Sequence, residues 1–218
     1  MTRYKWPRRA VVSALTAVGA AFAAGSRPVL AQAGPGRFQP ARHSEDAWLD
    51  KLPGKHRVFI DAATPKGAGD GILYANNLFL ANDSGYGLKE QDLAIVLCLR
   101  HQAALFAFTD VIWAKHAKAL AESAGYVDPR TNEAPLANPH TAAPRDALGT
   151  LAKRGVHFAI CNLSARRLSR LLAGAGGDAE AMYKHLTSNG IPNSHFVPAG
   201  VVAATRAQEY GYSFLYAG

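Results

Sequence analysis

The stretch "VHFAICNLSARRL", residues 156–168, ends an apolar run on a cysteine, adds a short polar turn and opens a helical pattern on an arginine pair. A free thiol with a pKa near 8.5 is only a few per cent ionised at neutral pH. A helix N-terminus and cationic neighbours lower that value to roughly 3.5–7.5. Cys161 is therefore the candidate nucleophile. Arg166 and Arg167 are the candidate source of part of the field, and Asn162 and Ser164, in the turn, are candidate ligand-binding groups. The competing role for Cys161 is that of a small buried hydrophobe, which is common for free cysteines. Cys98 lies inside "LAIVLCL", residues 93–99, where burial raises a thiol's pKa and hides it. A Cys98–Cys161 disulfide requires Cα atoms within about 7 Å, which spacing alone leaves open.

Further polar groups fall at the ends of the same kind of apolar run. Asp61, Thr64 and Lys66 follow "RVFID", residues 57–61, and Arg100 and His101 follow residues 93–99. A cation and an imidazole there are candidates to bind an oxyanion or shuttle a proton near neutral pH. The glycine cluster "KGAGDG", residues 66–71, has neither the Walker nor the G-x-G-x-x-G spacing and reads as a flexible loop. A metal site built from Cys98, His101, Cys161, His157 or His195 has no close C-x-x-C or H-E-x-x-H pair to anchor it. Side-chain alternation also sends Cys98 and His101 to opposite faces of a continuing strand. No G-x-S-x-G elbow marks a serine hydrolase. The sequence thus implies neither metal nor cofactor.

These groups need elements to position them. Short β-rich runs alternate with helical periodicity, the pattern of a parallel sheet with crossovers. The predicted strands are 57–61, 93–99, 156–161, 195–199 and 212–216; the second is nearly unbroken in apolar character, as suits a strand covered on both faces. Ile72, Ala75 and Phe79 share one helical face, as do Leu168, Leu171, Leu172 and Ala175. Further helices are predicted near 105–121, 145–154, 179–189 and 201–210, and Gly155 and Gly211 stop two of them just before strands. The fold class is α/β, a three-layer α/β/α arrangement with a mainly parallel five-stranded sheet. In such sheets ligands bind beyond the carboxyl ends of the strands, where Cys161 would lie. Residues 122–146 hold four prolines and no periodicity. A connection that long is usually a lid, a binding loop or an oligomer contact.

The N-terminus carries a different signal. Arg3, Lys5, Arg8 and Arg9 precede a weakly apolar run, Ala10 to Ala24, and Ala31-Gln32-Ala33 is a small-x-small cleavage site, the pattern of a signal peptide over residues 1–33. The adjacent Arg8-Arg9 points to the twin-arginine type, which exports folded proteins to the periplasm. A Gly/Pro/Gln-rich tether then opens at Gly34, and the domain proper begins at residue 55. The chain has 24 Lys/Arg against 16 Asp/Glu; five of those basic residues and no acidic one lie in 1–33, so the remainder carries 19 against 16, a net charge of +3. The basicity is mostly that of the leader, and no nucleic-acid partner is implied. No stable membrane span remains after processing, since about 20 apolar residues are needed.

The run "FVPAGVVAATRAQEYGYSFL", residues 196–215, resembles the closing strand-helix-strand of the DsrE/DsrF-like family of sulfur-relay proteins. The apolar strand that ends in Cys161 and leads through Asn162-Leu163-Ser164 into a helix is similar to that family as well, as is "IVLCLRH" with His101 at its end. The resemblance covers roughly residues 55–218, apart from the long loop. It implies a parallel five-stranded sheet between helices, assembly into trimers or hexamers and, in some members, a cysteine that carries sulfane sulfur as a persulfide. Cys161 occupies that cysteine's position. The expected partners are then further copies of the chain and a small sulfur compound or sulfur-relay protein. The rival expectation is a non-enzymatic periplasmic ligand-binding or assembly module of the same fold.

Overall fold

A computed structural model describes residues 39–141 and 147–218. The signal peptide expected at 1–33 and residues 142–146 of the long loop lie outside that range. Five strands, β1 (His56–Ala62), β2 (Leu93–Leu99), β3 (His157–Cys161), β4 (Ser194–Val197) and β5 (Ser213–Ala217), form one sheet in the order β4-β3-β2-β1-β5. Every pairing is parallel. All seven residues of β2 are buried, because this central strand is covered on both faces.

Seven helices are described: α1 (Ala47–Lys51), α2 (Pro65–Tyr86), α3 (Asp110–Ala124), α4 (Ala147–Lys153), α5 (Asn162–Ala173), α6 (Ala179–Thr187) and α7 (Gly200–Glu209). From β1 to β4 the chain steps one way along the sheet, and from β4 to β5 it returns across it. Parallel crossovers are right-handed, so the reversal in direction moves the connecting helix to the opposite face. Side chains from α2 to α6 accordingly pack with Ile60, Leu97, Leu99 and Ile160 in one core. Those of α1 and α7 pack with Phe59, Val96, Cys98 and Ala159 in the other. Each fully buried Leu, Ile, Val or Phe contributes about 1.5–3 kcal/mol relative to exposure. The two glycine stops behave as read, Gly155 at φ +89° and Gly211 at φ +83°.

Three features differ from the sequence reading. The "KGAGDG" cluster is the first turns of α2 rather than a loop: a Cβ on Gly67 would sit 2.3 Å from the carbonyl oxygen of Ala217, and one on Gly71 would sit 2.6 Å from Leu97 Cδ1. These glycines let the helix approach the sheet closely. The tether ends earlier than residue 54. A 3-10 turn at Ser44–Asp46 leads into α1, Leu49 and Leu52 are buried, and the Tyr212 hydroxyl donates to the Leu49 carbonyl at 2.7 Å. The helix expected over 105–121 is split into a 3-10 turn, His101–Ala107, and α3. Between them Phe108 bridges to Gly190 in extended form.

Candidate functional site

Cys161 closes β3 and is the N-cap of the twelve-residue α5, with φ −66° and ψ 111°. Across the β3–β4 pair it stands opposite Val197, the last residue of β4. The chain leaves β3 toward the face covered by α5 and leaves β4 toward the face covered by α7. In the order β4-β3-β2-β1-β5 the strand order reverses between β1 and β5, which is where an α/β sheet has its topological switch point; the β3–β4 pair lies at the other end of the sheet. Cys161 lies on the carboxyl edge, where a strand end meets a helix start, but away from that reversal. Its residue is 6% exposed and its thiol is not disulfide-bonded.

The rest of the carboxyl edge is held by polar pairs. Arg100 grips Asp61 through Nε–Oδ1 at 2.7 Å and Nη2–Oδ2 at 2.8 Å, and the hydrogen bonds to Asp61 hold the guanidinium's pKa above its usual value. Asp61 is opposite Cys98 in the strand register. Burial, with the carboxylate of Asp61 adding to it, pushes the Cys98 thiol well up. A neutral, fully buried thiol is inert. The start of α7 lies against this group: a Cβ on Gly200 would be 2.7 Å from Arg100 Cβ and 3.1 Å from Cys98 Sγ. Cys98, Arg100, Asp61 and Gly200 thus form one packed unit at the carboxyl ends of β1 and β2.

His101 is exposed and takes the left-handed backbone at φ +52°, a conformation uncommon for a residue with a Cβ. Its N–H donates to Ser164 Oγ at 2.8 Å, which ties the end of β2 to the first turn of α5. Ser164 is thereby a positioning group rather than a free ligand contact. Asn162 is also engaged, its Oδ1 accepting from the Tyr183 hydroxyl at 2.5 Å. Thr64 caps α2, its Oγ1 accepting from the Gly67 N–H at 2.9 Å. The structure brings Cys161, Asn162, Ser164 and His101 together at one helix start and pairs Asp61 with Arg100 nearby, but it assigns Thr64 to the fold.

Arg166, one of the two expected cationic neighbours, is engaged away from the thiol. Arg166 lies over the Tyr183 ring, 4.0 Å from its centroid, and its Nη1 is 3.1 Å from Glu180 Oε2. That pairing directs its charge toward α6. Cys161, as the N-cap of α5, meets the partial positive charge of that helix's N-terminus. The long loop, in its described part, is pinned to the segment after β2: the buried Asn138 donates from Nδ2 to the carbonyls of Phe106 and Phe108, both at 2.8 Å. The same loop and the end of α3 flank an open groove of about 640 Å³ lined by Lys118, Glu122, Tyr126 and Asn132.

One cluster went unread in the sequence. Trp48 stacks on His195 with centroids 3.9 Å apart and planes within 6°, and His195 Nε2 meets His157 Nδ1 at 2.8 Å. Burial lowers both imidazoles' pKa values, His195 to about 4 with His157 adding to the effect. A single ring proton can lie between the facing nitrogens, so a second charge there is disfavoured. The sequence places the two histidines at the starts of separate predicted strands, which only the structure sets side by side, and Trp48 lies in the stretch that reads as tether. No group of three or more His, Cys, Asp or Glu able to hold a metal occurs among the described residues. No helix among them is long and apolar enough to cross a membrane. No protein-family model matches the chain, and no curated protein matches it.

Proposed function

We propose that this chain is an exported, DsrE-like protein that holds sulfane sulfur on Cys161 and works as a homo-oligomer in the periplasm. The observation that carries the reading is the position of Cys161 at the carboxyl end of β3 and at the start of α5, where the first backbone N–H groups of a helix have no partner within the helix. The twin-arginine pattern, the small-x-small site and the run 196–215 supply the export and family parts.

The chemistry is a thiol exchange. The Cys161 thiolate attacks the outer sulfur of a small persulfide, R–S–SH; the S–S bond of the donor breaks with its electron pair leaving on RS⁻, and Cys161–S–SH is formed. An acceptor thiolate takes the sulfur by the same step in reverse. Neither step needs an external oxidant. His101 adjoins the start of α5 through its N–H bond to Ser164, and the Asp61–Arg100 pair ties together the neighbouring strand ends.

A second reading, a binding or assembly module without thiol chemistry, is favoured by two observations: Cys161 is 6% exposed and Arg166 is committed to Glu180. One experiment separates them. The protein beginning at Gly34 is treated with glutathione persulfide under native conditions and weighed intact. The sulfur-carrier reading expects a gain of one sulfur on Cys161, absent in Cys161→Ser and retained in Cys98→Ser. No gain in the folded protein, with Cys161 alkylated only after denaturation, transfers the assignment to the module.

A further inference from the structure

The sheet's two edges are finished differently. At one end β4 is four residues long, is followed by Pro198 and has His195 covered by Trp48. Short length, proline and a covering element are the usual protections of an edge. At the other end β5 reads Ser213-Phe214-Leu215-Tyr216-Ala217, without charge or proline. Phe214 is 41%, Leu215 39% and Tyr216 55% exposed. Parallel sheets are normally covered on both faces, yet four of the five β5 residues are exposed. Among the described residues no strand pairs with its outer edge.

The order of residue types in β5 says what covers it. About Leu215 the strand is symmetric: an aromatic on each side, then a small residue on each side. An antiparallel copy related by a two-fold axis at Leu215 sets Phe214 opposite Tyr216 and Ser213 opposite Ala217. Opposed residues in an antiparallel pair share a face. Phe214 and Tyr216 are the register partners of Phe59 and Asp61, on the α7 side of the sheet, so the aromatics of both copies meet there while the two Leu215 side chains meet on the α2 side. Aromatic pairs directly opposite each other stabilise a sheet, and like charges, which would oppose it, are absent from this strand. α2 and α7, which pack beside β5, also carry exposed apolar side chains, Leu73 and Val201.

We infer that β5 is an interface between two copies of this chain, paired antiparallel across a two-fold axis at Leu215 so that two five-stranded sheets become one of ten strands. The inference rests on the homo-oligomer part of the proposed function and not on the sulfur part. An isologous contact closes in pairs, so it fits a dimer or a hexamer with two-fold axes and excludes a simple trimer.

The test uses the protein beginning at Gly34, its mass measured by light scattering at micromolar concentrations. Wild type should have an even number of copies. Leu215→Lys places two like charges opposite each other and should weaken the two-fold contact by roughly tenfold or more, with an unchanged circular dichroism spectrum. Leu215→Cys should form an intermolecular disulfide on mild oxidation, since opposed Cα atoms lie about 4.5–5.5 Å apart, within the range of about 4.4–6.8 Å that a disulfide spans. Ser213→Cys should not, because its two copies lie four positions apart, about 14 Å at roughly 3.4 Å per residue. Wild type is the control for the native thiols. A monomeric or trimeric wild type, or Leu215→Cys that fails to cross-link, overturns the inference, as does a folded Leu215→Lys of unchanged mass and affinity. If Leu215→Lys fails to fold, the cross-link alone decides. Loss of Cys161 reactivity with the cross-link retained removes the sulfur reading only; a reactive Cys161 without the cross-link removes this one only.

Discussion

Asp61 and Arg100 face each other across the β1–β2 pair and close a two-pronged ion pair at the carboxyl edge of the sheet, with N–O distances of 2.7 and 2.8 Å. The Asp61 side chain is 5% exposed and that of Arg100 23%, so the carboxylate depends on its partner in place of water. The pair sits against Cys98 and the start of α7 and shapes the floor beside Cys161.

Removing one member should therefore cost more than a surface ion pair would. Arg100→Met leaves a buried carboxylate and is expected to destabilise by about 3 kcal/mol, the lower end for a broken buried pair. Arg100→Met with Asp61→Leu should recover part of the loss. Urea unfolding of both single variants and the double variant gives the coupling; simple additivity would show that the two side chains act separately.

Two glycines in α2 should respond to alanine with opposite signs. At Gly67 the added methyl meets the Ala217 carbonyl, a backbone atom that cannot step aside, and overpacking of this kind costs about 1–3 kcal/mol. At Gly85 nothing lies within 4 Å, so Gly85→Ala should stabilise by up to about 0.5–1 kcal/mol through helix propensity. Thermal unfolding midpoints of the two variants decide it.

Leu49 is 1% exposed, although its segment reads as a tether in the sequence. Leu49→Ala should destabilise by about 2–5 kcal/mol, the range for truncating a buried leucine. A change no larger than that at an exposed position such as Leu136 would mean that α1 is not part of the folded unit.

Acid should weaken the fold in a defined window. Burial pushes His140 and His195 down to about 4, whereas in the unfolded chain they titrate near 6.5. Between those values the unfolded chain binds more protons. Stability is full above about pH 6.5 and falls as the pH drops toward 4. His195→Phe keeps the stack on Trp48 and should flatten the slope in urea midpoints measured across this range, leaving the part that belongs to His140 and His157. An unchanged slope would assign the acid sensitivity elsewhere.

The sequence by itself determined the sheet. Runs of seven apolar residues such as 93–99 cannot be satisfied except between two covered faces, and Gly155 and Gly211 mark helix ends because only a residue without a Cβ readily takes those angles. Those local rules located all five strands and the cysteine at the end of the third. Other features depend on what is adjacent in space. Arg166 finds Glu180 and Tyr183, Thr64 and Asn162 are used by the fold, the glycines of 66–71 meet β5 and β2, and Trp48 reaches His195 from across the chain. Strand order is likewise non-local: only the pairing of β5 with β1 puts the reversal of the sheet between those two strands, so that Cys161, at the end of β3, lies on the carboxyl edge but not at the switch point. Spacing along a chain records periodicity and local backbone preference; which side chain answers a charge or fills a gap is decided by packing between residues far apart in sequence.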